Sequence, residues 1–286
     1  MHFPVMREEV LRLLDPRPEG IYLDATAGLG GHTAAIAARL SSGRVIACDR
    51  DGESLELARQ NTAGFEDRII FRRAAFSELR AVLAELGIEK VDGVLADLGA
   101  SRYQLTDPER GFSFSADGPL DMRMDRSQRL RAAEIVNTSA EKALADLLFQ
   151  FGQERRARRI ARAIVRARPI TSTLHLARVV EQAAPRTGRL HPATKTFMAL
   201  RIAVNRELDE LDQLLATAPE ITKPQGIIVV ISFMSLEDTR VKRAFQALAR
   251  AGRARILTKH LLRPSEQEVR ANAASRSARL RALQML

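Results

Sequence analysis

A single cysteine, Cys48, rules out an internal disulfide and a cysteine-ligated metal cluster, and it fits a reducing compartment. No run approaches the roughly 18 consecutive apolar residues that a membrane-spanning helix needs, so none is expected. The first residues reach Glu8 and Glu9 before an apolar signal core could form, which predicts no secretory leader and a cytoplasmic protein. Internal repeats and low-complexity tracts are also missing. What is present is a chain of 286 residues, 45% hydrophobic, enough for one sizeable core or a core with a large insertion. Its net charge of +10, from 45 Lys+Arg against 35 Asp+Glu, draws it towards polyanions and says nothing about fold.

The first hundred residues alternate. Short apolar strands at 21–26, 44–49, 69–71 and 91–98 are separated by helical patterns at about 31–40, 51–63 and 77–86. Near-continuous apolar strands between helices predict a parallel sheet covered on both faces. The alternation stops after residue 105. Residues 106–130 are rich in Gly, Pro, Asp and Ser and read as loop, and 131–184 read as helices. Phe197, Leu200, Val204, Leu208, Leu211 and Leu215 recur at helical spacing and predict one long amphipathic helix. Strand character returns at 226–233, followed by a helix at 236–250 and strands at 254–259 and 278–284. The expected architecture is α/β: a Rossmann-like sheet carried by 1–105 and 206–286, with a mainly helical insertion at 106–205 assigned to substrate recognition.

Between the first strand and the first helix of the sheet lies Asp24-Ala25-Thr26-Ala27-Gly28-Leu29-Gly30-Gly31-His32. Glycines there let the backbone turn sharply and approach a ligand. A dinucleotide loop G-x-G-x-x-G would place glycine where Thr33 stands. An acid before a glycine turn suits a zwitterionic amino-acid group, such as the methionine part of S-adenosylmethionine. Asp49 ends the second strand, where an acid accepts the ribose hydroxyls of either a nicotinamide dinucleotide or S-adenosylmethionine. Asp97 ends the fourth strand, where ligands gather at the carboxyl edge of such a sheet; a helix cap is its other reading.

From end to end the sequence resembles the RsmH (MraW) family of small-subunit rRNA cytosine-N4 methyltransferases. The stretches that carry the resemblance are His2-Phe3-Pro4-Val5-Met6, Tyr22–Thr26 with Gly28–Thr33, and Ala47–Asp51. They continue with Asp97–Ser101 and Gln104-Leu105, Glu109–Phe114, Asp117–Asp125, His191–Thr194 through Ala203–Asn205, and Ile231–Phe233. The run Gly118–Asp125 is specific, because a generic Rossmann sheet does not require it. The resemblance implies a class I methyltransferase fold, S-adenosylmethionine as cofactor, and N4 of a cytidine in the decoding centre of 16S rRNA as target. The partner would be that RNA or the small ribosomal subunit. By position it places cofactor contacts at Gly30, Gly31, His32, Asp49, Phe76, Asp97 and Gln104, although Phe76 also reads as core. Two departures stand out. Met234 replaces the histidine of Ser-Phe-His-Ser-Leu-Glu-Asp and cannot exchange protons, and Arg102-Tyr103 replaces Ser-Pro.

The exocyclic amine of cytosine is a poor nucleophile because its lone pair is delocalised into the ring. The protein must therefore align that amine and localise the lone pair by hydrogen bonding. Asp97, Asp121 and Asp125 are the candidate catalytic residues, with Ser101 a further acceptor and Arg123 on phosphate. The 121–125 run reads equally as a loop that braces the insertion. Phe112 and Phe114 are candidates to stack a flipped base or to pack a core. Arg155, Arg159, Arg162 and Arg166 follow helical spacing and are expected on rRNA phosphates, a solvated helix face being the alternative. Ser235 with Asp238 reads as a helix cap. The competing functions are a methyltransferase for another substrate, a silent RNA-binding or assembly factor, and a nicotinamide-dependent oxidoreductase.

Overall fold

The computed structural model describes residues 4–186 and 190–286. His2 and Phe3, in the first of the matching stretches, lie outside the described residues. The chain divides into two compact units, Met1–Gly99 with Leu208–Leu286, and Ala100–Glu207. The first opens with α1 (Arg7–Leu14), β1 (Ile21–Asp24), α2 (Gly31–Ala37), β2 (Arg44–Asp49), α3 (Gly52–Asn61), β3 (Ile69–Arg73), α4 (Leu79–Glu85) and β4 (Val91–Asp97). The second unit holds α5 (Arg102–Thr106), α6 (Ala132–Thr138), α7 (Glu141–Gly152), α8 (Ala157–Arg166), α9 (Thr173–Ala183) and α10 (Thr194–Asn205). After it follow α11 (Glu207–Ile221), β5 (Thr222–Ser232), α12 (Ser235–Arg250), β6 (Ala254–Ile256), α13 (Glu266–Ala271) and β7 (Arg279–Met285).

Among the described residues the strands form a seven-stranded sheet in the order β3-β2-β1-β4-β5-β7-β6. β1 to β5 pair parallel, and β7 runs antiparallel between β5 and β6. The apolar strands behave as sheet residues with a period of two. Val45, Ala47, Leu95, Val229 and Ile231 pack on one face with α1, α2 and α3, through Val10, Leu14, Ile36 and Leu55. Ile46, Cys48, Val94, Ala96, Ile228 and Val230 pack on the other with α4, α11 and α12, through Leu79, Leu83, Leu211 and Phe245. This is the Rossmann-like α/β sheet expected from the sequence. Strand order reverses between β1 and β4, so the carboxyl ends of those strands border the crevice where such sheets bind ligands.

The helical unit has its own core, in which Ile135, Leu144, Leu148, Ile160, Ile164, Leu176, Val180, Phe197 and Leu200 meet. No described helix of the chain is long and apolar enough to cross a membrane.

Three readings of the sequence need correction. The single helix expected through Phe197–Leu215 is two, α10 and α11, broken at Arg206 with φ 49°. Asn205 is fully buried there and donates its amide to the carbonyls of Met122 and Arg201, so it ties the end of α10 to a loop of its own unit. The apolar spacing runs unbroken across this point, which is why periodicity could not reveal it. Ser235 and Asp238 do not cap α12. Glu237 Oε2 accepts from the N–H groups of Phe233 and Met234, while Asp238 takes the guanidinium of Arg281 at 2.7 and 3.1 Å. Finally, β6 is a three-residue strand at Ala254–Ile256 and stops short of 259.

Candidate active site

Three carboxylates stand at the carboxyl ends of β1, β2 and β4, and each has a different environment. Asp24 is fully buried. Its Oδ2 accepts from the Thr33 hydroxyl at 2.7 Å and its Oδ1 from the Thr26 N–H at 3.1 Å, so it ties both ends of the glycine loop together. Burial raises its pKa above the ordinary aspartate value, against the opposing Thr33 bond. Asp24 therefore shapes the loop, with its two oxygens turned to Thr26 and Thr33. Gly30 caps α2 at φ 86°, and a Cβ there would sit 2.8 Å from Thr62 Cγ2, so glycine is needed for both conformation and space. Its N–H is taken by the Ala27 carbonyl at 2.7 Å.

Asp49 is half-buried. Its Oδ2 accepts from the Gly28 N–H at 2.8 Å and its Oδ1 from the Asp51 N–H at 2.9 Å. Burial pushes its pKa up to about 6, with the two N–H bonds lowering it and the charges of Asp51 and Asp24 adding to the rise. The neighbouring Cys48 thiol is pushed up to about 12 by burial and by the charges of Asp24 and Asp49, which removes it as a nucleophile.

Asp97 and His32 lie side by side at the end of β4. The Asp97 N–H donates to Thr26 Oγ1 at 2.6 Å, fixing the end of β4 to the glycine loop. His32 is 6% exposed, and its Nε2 lies 3.6 Å from Asp97 Oδ2. Both ring nitrogens of His32 and Asp97 Oδ1 are buried, with no hydrogen-bond partner among the described residues. Buried polar atoms left unpaired cost roughly 1–3 kcal/mol each, and an exception of this kind in a native fold calls for an explanation, a bound water or ligand being one. Phe76, half-buried, opens the short 3-10 turn after β3, and Phe233 at the end of β5 comes beside Gly99. Met234 follows, its N–H donating to Glu237 and its carbonyl accepting from the Asp238 N–H at the helix start.

The sequence model of the MraW methylase family matches residues 1–286, the whole chain. The chain belongs to the MraW methylase family. It is 63% identical, over the full length of both chains, to the Ribosomal RNA small subunit methyltransferase H of Solibacter usitatus. It is 49% identical to the protein of that name from Koribacter versatilis, covering 98% of this chain and 93% of the relative. Among solved structures, an rRNA methylase from Streptococcus thermophilus superposes with a TM-score of 0.46 at 11% identity, covering 98% of this chain and 93% of the other. The residues at the sheet edge fit the methyl donor such an enzyme needs. They combine a carboxylate beside a glycine turn with buried polar atoms that lack partners.

The other candidates lie in the helical unit. Gln104 is buried, and its Oε1 accepts from the Ser101 N–H while the Ser101 hydroxyl accepts from the Gln104 N–H, a reciprocal cap at the start of α5. Tyr103 stands 5.8 Å under the guanidinium of Arg110, so the Arg102-Tyr103 departure carries a contact that serine and proline would lack. Arg110 is 1% exposed and donates to the carbonyls of Arg123 and Met124. A Cβ at Gly111 would collide with the Pro119 carbonyl, and one at Gly118 with that of Pro108. Glycine is thus required twice where two stretches of the loop cross.

Asp121 and Arg123 are bound to each other. Arg123 Nε and Nη2 reach the two oxygens of Asp121 at 2.7 Å each, and Nη1 donates to the carbonyls of Arg126 and Gln128. Both residues are buried. Burial alone would raise the Asp121 pKa, but the bonds and charge of Arg123 outweigh it and leave the group below the usual range. Commitment of both groups to each other favours the bracing reading of this run over contact with a base or a phosphate. Asp125 Oδ1 accepts from the N–H and hydroxyl of Ser127 in a local turn. Phe112 is buried, and Phe114 packs edge-on to Phe197 at 4.8 Å and tilted on His191 at 4.7 Å, so both rings serve packing.

On α8, Ile160, Ala161 and Ile164 are buried while Arg158, Arg159, Arg162 and Arg166 are exposed along its opposite side, and Arg155 is exposed in the turn just before the helix, outside the helical run expected for it. Arg162 meets Glu141 at 3.3 Å, a surface pair worth well under about 1 kcal/mol. Several residues with a structural role escaped sequence reasoning: Asp24 as a brace and Thr26 as the link to Asp97 at the sheet edge, and Arg110 and Asn205 within the helical unit. Thr26 and Thr33, placed two and nine residues after a buried acid, were the available signal for the brace.

Proposed function

We propose that this methyltransferase takes the methyl group of S-adenosylmethionine to N4 of a cytidine in the decoding centre of 16S rRNA. Small-subunit rRNA as the substrate class rests on the rRNA methyltransferases that match it along their whole length. A methyl donor at the carboxyl edge of β1, β2 and β4 rests above all on the unpaired buried atoms of His32 and Asp97. Bound there, the cofactor supplies an already activated methyl group on a sulfonium. Asp49 would hold the ribose, Gly31 and His32 the amino-acid end, and Phe76 the adenine face. Asp97 Oδ1 would accept from an amine in the site. Gln104 and Asp125 remain positions that the family resemblance alone puts at this site. The helical unit would present the RNA, as naked strand or within the small subunit, in the cytoplasm.

The ribose assignment makes a direct test. Asp49→Ala is expected to weaken S-adenosylmethionine binding by about 1.5–3 kcal/mol, the worth of hydrogen bonds to a charged acceptor. Equal affinities by calorimetry would remove Asp49 from the site. Acid should act in the same direction. Two hydroxyl donors prefer the carboxylate, so affinity should fall as pH drops through about 6 in wild type and stay flat there in Asp49→Asn. Folding stability should respond with the opposite sign. The folded pKa lies above the ordinary value of 3.8, so the native state binds the extra proton between about 4 and 6 and this group's contribution to stability rises as pH falls through that window.

The α8 arginines give a second test. Replacing Arg155, Arg159 and Arg162 together with glutamine should lower affinity for small-subunit rRNA and flatten the log–log salt slope by roughly 0.7–0.9 per lost phosphate contact. Cofactor affinity should not change. An unaltered salt slope would return this side of α8 to plain solvation.

A further inference from the structure

Within the helical unit, α8 and α9 leave an open groove between their carboxyl-terminal halves, lined by Ala163, Arg166, Ala167, Val179, Gln182 and Ala183, with a volume of about 290 Å³. We infer that this groove is a subsite for one unstacked base of the RNA strand that follows the α8 arginines. The inference rests on the RNA reading of α8 and adds a base-binding element to it.

The volume sits at the lower end of the range for small-molecule pockets, roughly 300–1,000 Å³, which suits a single ring system and little more. Three alanines and a valine make a floor without polar atoms of its own, onto which a flat face can settle with no polar group left unpaired. The polar side chains are at the rim. Arg166 can lay its guanidinium plane on a base and still reach a phosphate. Gln182 is exposed across the groove and offers both a donor and an acceptor to a base edge.

The choice of occupant comes from charge and continuity. Arg166 is the last of the exposed α8 arginines Arg159, Arg162 and Arg166, each about one turn from the next, with Arg155 exposed just ahead of the helix. A polyanionic strand drawn along that series is led to the groove, where an extruded base finds apolar surface. A peptide helix needs anchor pockets over several turns, and this groove offers one.

The test compares affinities of the full-length protein for a short single-stranded RNA and for the same strand with one abasic position, scanned along its length, by fluorescence anisotropy. At one position the intact strand should bind about tenfold more tightly, the worth of one stacked base. Ala167→Leu, which fills the groove with methyl groups, should bring that ratio close to one and leave the salt slope of binding as in wild type. A thermal melt matching wild type shows that the variant is folded. If Ala167→Leu perturbs folding, Gln182→Ala at the exposed rim should reduce the same ratio.

A wild-type ratio near one at every position would overturn the inference, as would a ratio that survives in the filled and rim variants alike. Normal RNA binding by the filled variant with weakened binding to the assembled small subunit would assign the groove to a protein and overturn it too. Failure of wild type to bind either strand would remove RNA from α8 altogether, an outcome distinct from phosphate binding without base binding.

Discussion

Asp121→Ala is expected to destabilise the folded protein by about 3 kcal/mol while leaving activity per folded molecule nearly unchanged. Breaking a buried pair by removing one partner costs roughly 3–5 kcal/mol, because the remaining charge is left without compensation. The lower end applies, since both side chains keep slight solvent access, 11% for Asp121 and 10% for Arg123. Three donors lose their acceptor at once: the N–H, Nε and Nη2 of Arg123. The loop they hold also contains Arg110, Gly111 and Met122, whose backbone bonds join Arg110 to Met122. A loss of this size lowers the melting temperature by roughly 6–12 °C in a chain of this length class. The Asp121 pKa is held below the usual range, so its stabilisation is complete at neutral pH and disappears only in acid, as pH falls through that lowered value. Thermal melts and single-turnover methylation on the same samples separate bracing from base positioning. A wild-type melt with turnover down about a hundredfold would restore Asp121 to the chemistry.

Asp97→Asn should do the reverse: a nearly unchanged melt and a fall of about a hundredfold in single-turnover rate at saturating cofactor and RNA. Asp97 Oδ1 is buried and unpaired at the end of β4, while its main chain is pinned to Thr26. A carboxylate whose main chain is fixed in that way can accept a hydrogen bond from an amine with little loss of its own freedom, which is where such a group contributes most to a transition state. Asparagine keeps the shape and loses the charge. If Asp97 serves only to hold the cofactor, affinity for S-adenosylmethionine falls instead and turnover recovers at saturation. His32→Ala offers a comparison, because it removes the neighbouring imidazole and leaves the carboxylate.

Much of this architecture could be read before the structure. The strands were visible because β2, β4 and β5 are buried on both faces, so their apolar runs carry no competing polar pattern. The glycine loop, Asp49 and Asp97 were visible because a ligand crevice at reversing strand order needs those residue types at strand ends. What stayed hidden depends on long-range polar contacts. Nothing local to Asp121 states that both of its oxygens go to Arg123, and nothing in the apolar spacing of 197–215 marks the turn at Arg206 that Asn205 fixes across 83 residues to Met122. A similar limit applied to α12. Ser235 and Asp238 have the residue types of a cap, but the partner that settles their fate, Arg281, lies 43 residues beyond Asp238. The run Gly118–Asp125 thus carries polar contacts that hold a loop of the helical unit together.

The most direct measurement is mass mapping of methylated cytidines in 16S rRNA from cells with and without the gene, followed by addition of the purified protein and isotopically labelled S-adenosylmethionine to the unmethylated RNA or subunit. The account predicts that one N4-methyl group on a decoding-centre cytidine is lost with the gene and returns carrying the label. An identical methylation map in both cells, with no label transferred to cytidine N4, would contradict it.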